Sequence, residues 1–127
     1  MKYLLDTHTA LWAIGDNEKL SLTVKSIIDD VSVPIFVSVV SAWEIALKIS
    51  IGKLNFIGGS ARFLDDMNKN GVQILCLKST HIRYVESLPF HHRDPFDRIL
   101  ISTALDEDLI LLTSDENIRK YDVKCVW

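Results

Sequence analysis

The sequence predicts an α/β fold with a central, mostly parallel sheet of about five strands and helices on both faces. Three observations carry this. Short apolar runs alternate with segments whose apolar residues recur every three to four positions, the pattern of repeated strand–helix units. The runs Tyr3–Leu5 and Leu109–Leu112 are apolar throughout, as strands covered on both faces are. No Pro/Gly/Ser-rich linker divides the 127 residues, so residues 1–127 are expected to form one domain.

The elements follow in order. Lys2 to Leu5 reads as a buried strand ending in Asp6-Thr7. Thr7 is placed to cap a helix that carries Ala10, Leu11 and Ile14 and stops at Gly15. Ser21 opens a second helix with Val24, Ile27 and Ile28 on one face, and Asp29-Asp30 falls at its unfavourable, carboxyl end. Ile35-Phe36-Val37-Ser38 is the second strand. Ser41 is expected to cap the next helix, with Glu44 completing an S-x-x-E capping box. Ala42, Ile45, Ala46 and Ile49 form its apolar stripe, and Gly52 ends it. Ser60 opens a fourth helix that turns Phe63, Leu64 and Met67 inward and ends at Asn70-Gly71. Val72 to Leu77 is the third strand, and Thr80 to Leu88 a short helix stopped before Pro89.

The stretch from Phe90 to Arg98, followed by Ile99-Leu100-Ile101, is the most informative. Proline fits best at the first position of a helix, where its missing N–H costs nothing, so Pro95 makes Asp94 the N-cap. Asp97 then lies at the third helical position, and two acids share the positive end of one helix. A capping box prefers the longer Glu or Gln there, which points to a site at the helix mouth as the reason for Asp97. Leu109 to Thr113 is the fourth strand, followed by Ser114-Asp115. Ile118 to Tyr121 is a last turn and Val123 to Val126 an edge strand.

Composition narrows the function. A hydrophobic fraction of 48% with 24% charged residues is ordinary for a globular domain. The formal net charge of -3 argues against a strongly basic nucleic-acid clamp. It leaves room for a nuclease with an acidic site and a basic rim, for which Lys48, Lys53, Arg62, Lys69, Arg93 and Arg98 are candidates; the same residues also read as solvated faces. Cys76 and Cys125 lie in apolar runs and read as small core residues. Tyr3-Leu4-Leu5 is too short for a signal-peptide core, and Val33 to Trp43 too short to span a bilayer, so a cytoplasmic protein without membrane contact is expected.

In an open α/β sheet, ligands bind outside the carboxyl ends of the strands. Asp6 ends the first strand and Asp115 follows the fourth. Glu44 lies in the first turn of the helix after the second strand, and Asp97 in the first turn of the helix that enters the fourth. All four point to one edge. Each also has a plainer reading: Asp6 as a helix cap, Glu44 as the partner of Ser41, Asp115 as an N-cap or an Asx turn. Like charges a few Å apart repel by about 4 kcal/mol per pair at an intermediate dielectric, so converging carboxylates call for a proton or a cation. Oxygen-only donors suit Mg2+ or Mn2+, whose bound waters serve phosphodiester hydrolysis. His91-His92 beside Asp94 suggests zinc, but neighbouring histidines point apart and no third His or Cys is suitably spaced. His8 reads as a residue at a helix start, and Trp12 and Trp43 as core or interface.

These residues resemble a family. Leu4-Leu5-Asp6-Thr7-His8, Ser41-Ala42-Trp43-Glu44-Ile45, His92-Arg93-Asp94-Pro95-Phe96-Asp97-Arg98-Ile99-Leu100 and Leu112-Thr113-Ser114-Asp115 resemble, in order, the motifs of PIN-domain ribonucleases. More narrowly they resemble the VapC-type toxins of bacterial toxin–antitoxin pairs. The likeness implies a three-layer PIN-like domain and Mg2+- or Mn2+-dependent endoribonuclease activity on an RNA substrate. It implies catalytic acids at Asp6, Glu44, Asp97 and Asp115, and Asp94 as an extra acid of one subgroup. It also implies a homodimer and a cognate antitoxin whose C-terminal segment occupies the site. On this reading Asp6, Asp97 and Asp115 are the metal ligands, and Glu44 orients or deprotonates the attacking water.

Two other classes compete. A phosphotransfer receiver domain needs an acceptor Asp ending a middle strand and a Lys after a late one; this chain has Ser38 to Ser41 and Ser114-Asp115 at those places. A non-catalytic binding module would use the acidic mouth to dock a basic partner segment, without metal.

Overall fold

The computed structural model describes residues 1–127. Five strands, β1 (Tyr3–Leu5), β2 (Ile35–Ser38), β3 (Gln73–Leu75), β4 (Ile110–Leu112) and β5 (Cys125–Val126), form one sheet in the order β3-β2-β1-β4-β5. Every pairing is parallel, with Leu5 opposite both Val37 and Leu112. Six helices connect them: α1 (Thr7–Gly15), α2 (Leu22–Asp29), α3 (Val39–Ser50), α4 (Gly59–Lys69), α5 (Ser79–Val85) and α6 (Pro95–Glu107).

Alternation along the strands divides the core in two. Tyr3, Leu5, Val37 and Leu112 face α1 to α4, packing with Ala10, Val24, Ile45, Phe63 and Met67. Leu4 and Leu111 face the opposite side, packing with Leu100, Ile101 and Ala104 of α6 and with Leu88, Ile118 and Tyr121. The fold is therefore the expected three-layer arrangement. β1 is central because Leu4 and Leu5, pointing opposite ways, are both fully buried. The chain builds outward from β1 through β2 and β3, then crosses to the other side for β4 and β5. Strand order thus reverses between β1 and β4, the place where parallel sheets open a crevice at their carboxyl ends.

Several boundaries differ from the expectation, each for a local reason. Ser38, not Ser41, caps α3, accepting from the Val40 amide at 3.1 Å, so the helix begins directly on the end of β2. Ser41 lies inside α3, fully buried. Asp6, not Thr7, caps α1 through the Thr9 amide. Gly58, at φ 89, precedes α4, which starts one residue before Ser60. The Asp94 cap with Pro95 behind it is as expected, and Asp94 accepts from the amides of Phe96 and Asp97. Cys76 is exposed and Cys125 only partly buried, so neither is a full core residue. Trp43 is 61% exposed and packs edge-on against Phe96 rather than in the core. No helix is long and apolar enough to cross a membrane.

Candidate active site

The carboxyl ends of β1 and β4 lie side by side, the Asp6 amide donating to the Leu112 carbonyl at 3.3 Å. This places Asp6 in the crevice where strand order reverses. Its side chain is buried and held at both oxygens: Oδ1 accepts from the Thr9 amide at 2.8 Å, and Oδ2 from the Thr113 hydroxyl. Burial raises the Asp6 pKa, against these hydrogen bonds, which favour the charged form. Thr113 also accepts from the Asp115 amide at 3.1 Å, tying the loop after β4 to the end of β1.

Glu44 is buried on α3, also held at both oxygens. Oε1 accepts from the Thr7 hydroxyl at 2.7 Å, and Oε2 pairs with Lys48 at 2.6 Å. The same Thr7 oxygen lies 2.9 Å from the Ser41 hydroxyl. Ser41 therefore supports Glu44 through Thr7 and not through a capping box. Asp97 projects from the first turn of α6 and accepts from His92 Nε2 at 2.7 Å. Burial raises its pKa to about 6; the His92 hydrogen bond opposes the rise, and the charges of Asp94, Asp6 and Glu44 add to it. Asp115 accepts at Oδ1 from the Asn117 and Ile118 amides, an Asx turn, while Oδ2 lies 4.0 Å from His92 Nε2.

Asp97 feels the charges of Asp94, Asp6 and Glu44, and Asp115 lies across the His92 ring from it, so the predicted acids are electrostatic neighbours with Asp94 beside them. His92, which the sequence suggests only as a zinc candidate, is the histidine that reaches these acids. Its ring connects Asp97 to Asp115, and its ligand atom lies with those of Asp94 and Asp97 within a mutual 4.8 Å. Of the expected basic rim, Arg98 does not belong. It is 5% exposed and donates to the carbonyls of Pro89, His92, Val85 and Leu88 and to the Tyr121 hydroxyl. The Tyr121 oxygen in turn accepts from the His92 amide at 3.0 Å. Arg98 and Tyr121 therefore fix the backbone that presents His92. Lys48 does lie at the site and pairs with Glu44; the charges of Asp94 and Asp97 also help hold it above its ordinary pKa. The His91 ring packs edge-on against Tyr121, whereas the His92 ring bonds Asp97.

Such an arrangement can bind a hard cation or a basic group, because its donors are carboxylate oxygens fixed by neighbours on several separate elements. Comparison with known proteins gives this geometry a context. Among solved structures the chain resembles VapBC2 from Rickettsia felis, solved with a promoter DNA fragment. That match has a TM-score of 0.75 and 16% identity over 99% of this chain and 98% of the other. It also resembles DNA-bound VapBC from Salmonella typhimurium, with a TM-score of 0.69 and 14% identity over 99% and 97% of the two chains. No curated protein matches it by sequence. A family model described as the PIN domain matches residues 3–124, nearly the whole chain and all of the acids above. The chain belongs to the PIN domain family.

Proposed function

We propose that this protein is a metal-dependent endoribonuclease of the VapC toxin type. The observation that carries the reading is the packing of acids around Asp97: its ligand atom and those of Asp94 and His92 lie within a mutual 4.8 Å, His92 also lies 4.0 Å from Asp115, and Asp6 and Glu44 are close enough to act on its charge. A carboxyl pushed to about 6 by burial and by three further carboxylates is unfavourable for folding alone, and a divalent cation relieves it. The PIN family and the likeness to VapBC complexes support a nuclease and a toxin.

The donor set fits Mg2+ or Mn2+: Asp6, Asp97 and Asp115 would hold the ion through carboxylate oxygens. When bound, such an ion supplies an activated water and charge neutralisation on the phosphoryl oxygens. The residues of the chain do the rest. Thr9 and Thr113 orient Asp6 and favour its charged form against burial. His92 orients Asp97. Glu44 is placed to accept the proton of the attacking water, and Lys48, paired with Glu44 Oε2 and 37% exposed at its side chain, to meet the substrate phosphate. Asp94 starts α6 and faces the site as an outer acid. The partners are RNA, a cognate antitoxin and a second copy of the chain, in the cytoplasm, the whole chain acting as one domain.

The test is RNA cleavage by the purified protein freed of any partner. Wild type should cut with Mn2+ and stop with chelator, and Asp6→Asn should be silent while remaining folded. Folded wild type that binds a basic peptide equally with and without chelator, and never cuts RNA, would move the binding-module reading ahead.

A further inference from the structure

A cavity of about 430 Å³ opens beside the acidic crevice, between α1, the carboxyl-terminal half of α3 and the segment 53–56. Its chemistry is the opposite of the crevice. His8, Lys48 and Lys53 bring cationic or hydrogen-bonding groups, Trp12 and Phe56 aromatic faces, and Asn55 an amide. The acid in its lining, Asp16, is taken by Lys19 at 2.7 Å. That lysine also lies 5.9 Å from the Trp12 ring centre. The His8 ring leans on Trp12 at 5.9 Å, tilted, so the aromatic wall continues to the exposed mouth.

Cavity and crevice share a wall. Thr7 and Lys48, which hold the two oxygens of Glu44, both line the cavity. A group lodged there is one side chain away from the carboxylates. The larger cavity of about 520 Å³, by Trp43 and Phe90, is mostly apolar and touches neither Thr7 nor Lys48.

An acid cluster on a chain of net charge -3 repels a phosphate backbone, so attraction must come from local cations and from stacking. We propose that this cavity is a nucleotide subsite, which takes one unpaired ribonucleotide adjoining the bond to be cut. The base lies against Trp12 and Phe56, Asn55 and His8 meet its polar edge, and Lys53 with Lys48 holds the phosphate. A volume of a few hundred Å³ suits such a unit. A paired base stays in its stack and does not enter, so the site selects single-stranded segments. This inference rests on the ribonuclease reading above.

The test keeps the full chain under chelator, so that nothing is cut, and titrates it with a 2′-O-methyl pentaribonucleotide while following the Trp12 indole N–H by NMR. The Trp12 signal should move, and exposed Lys53→Glu should weaken binding about tenfold. Losing one phosphate contact should also reduce the salt slope by roughly 0.7. Lys69→Glu, outside the cavity, should bind as wild type. Binding that leaves Trp12 unmoved, binding unaffected by Lys53→Glu, or a duplex that moves Trp12 as much as the single strand overturns the proposal. So does a basic, apolar peptide that moves Trp12 where the oligonucleotide does not, which would make the cavity a protein-docking groove. Cleavage of unmodified RNA with Mn2+ is measured in parallel. Wild-type cleavage with an unchanged KM in Lys53→Glu removes the subsite and leaves the nuclease; no wild-type cleavage removes both.

Discussion

Replacing Asp97 by Asn should stabilise the protein while removing its metal chemistry. Asp97 rises from an ordinary 3.8 to about 6 in the folded chain, a change of about 2 units. At 1.36 kcal/mol per unit, the charged carboxylate costs the metal-free fold about 3 kcal/mol at neutral pH. Asn removes the charge and keeps an oxygen for His92 Nε2, now 2.7 Å from Oδ2. Allowing for a weaker, uncharged hydrogen bond, we expect a gain of about 1–3 kcal/mol. That is roughly 4 °C in melting temperature per kcal/mol for a chain of this length. The sign with pH follows from linkage. Because the folded pKa is the higher one, the native state binds more protons than the unfolded chain between pH 3.8 and about 6. Wild-type stability is therefore lost through Asp97 as pH rises across that window, and the Asn variant escapes this loss. Urea unfolding of both proteins under chelator should give equal stability near pH 4 and a gap that opens by pH 7.5. A variant less stable than wild type by the same amount at both pH values would refute the reasoning, because Asp97 would then be a structural acid in a favourable setting.

Four further outcomes follow from the same geometry. Mn2+ affinity should fall up to tenfold per unit as pH drops below about 6, because a proton competes for Asp97; an affinity flat from pH 7 to 5 in calorimetry would contradict this. Arg98→Met should cost about 3–5 kcal/mol in urea unfolding, since it leaves carbonyls of the 85–92 segment and the Tyr121 hydroxyl without their donor. Tyr121→Phe removes the hydroxyl between Arg98 and the His92 amide; it should cost about 1–2 kcal/mol and lower cleavage by loosening His92, read as a fall in kcat. Leu5→Ala, at a fully buried central position, should cost about 3 kcal/mol in the same unfolding assay.

The parts legible in the sequence are those set by local chemistry. Asp94-Pro95 is a strong local signal for a helix start, and α6 begins there. The uniformly apolar Leu4-Leu5 and Leu111-Leu112 became the strands β1 and β4 at the centre of the sheet. Asp6, Glu44, Asp97 and Asp115 fall near one another because strand ends and helix starts on a parallel sheet share an edge. What was hidden depended on neighbours distant in the chain. Ser38 and Ser41 are equal as caps by residue type, and the burial of Ser41 against Thr7, 34 residues away, decides between them. Arg98 looked like a surface cation. Its partners are carbonyls of the segment before α6 and a tyrosine 23 residues later, and nothing local announces either. His92 was set aside with the zinc reading because only the fold places it between Asp97 and Asp115.

The most direct test of the account is a calorimetric Mn2+ titration of the partner-free protein beside Asp6→Asn. Asn is as good an N-cap as Asp and can still accept from the Thr9 amide, so the variant should fold. The account predicts saturable binding to wild type and its loss in Asp6→Asn. No binding by folded wild type, or equal binding by the variant, would contradict the claim that these carboxylates form one metal-holding site.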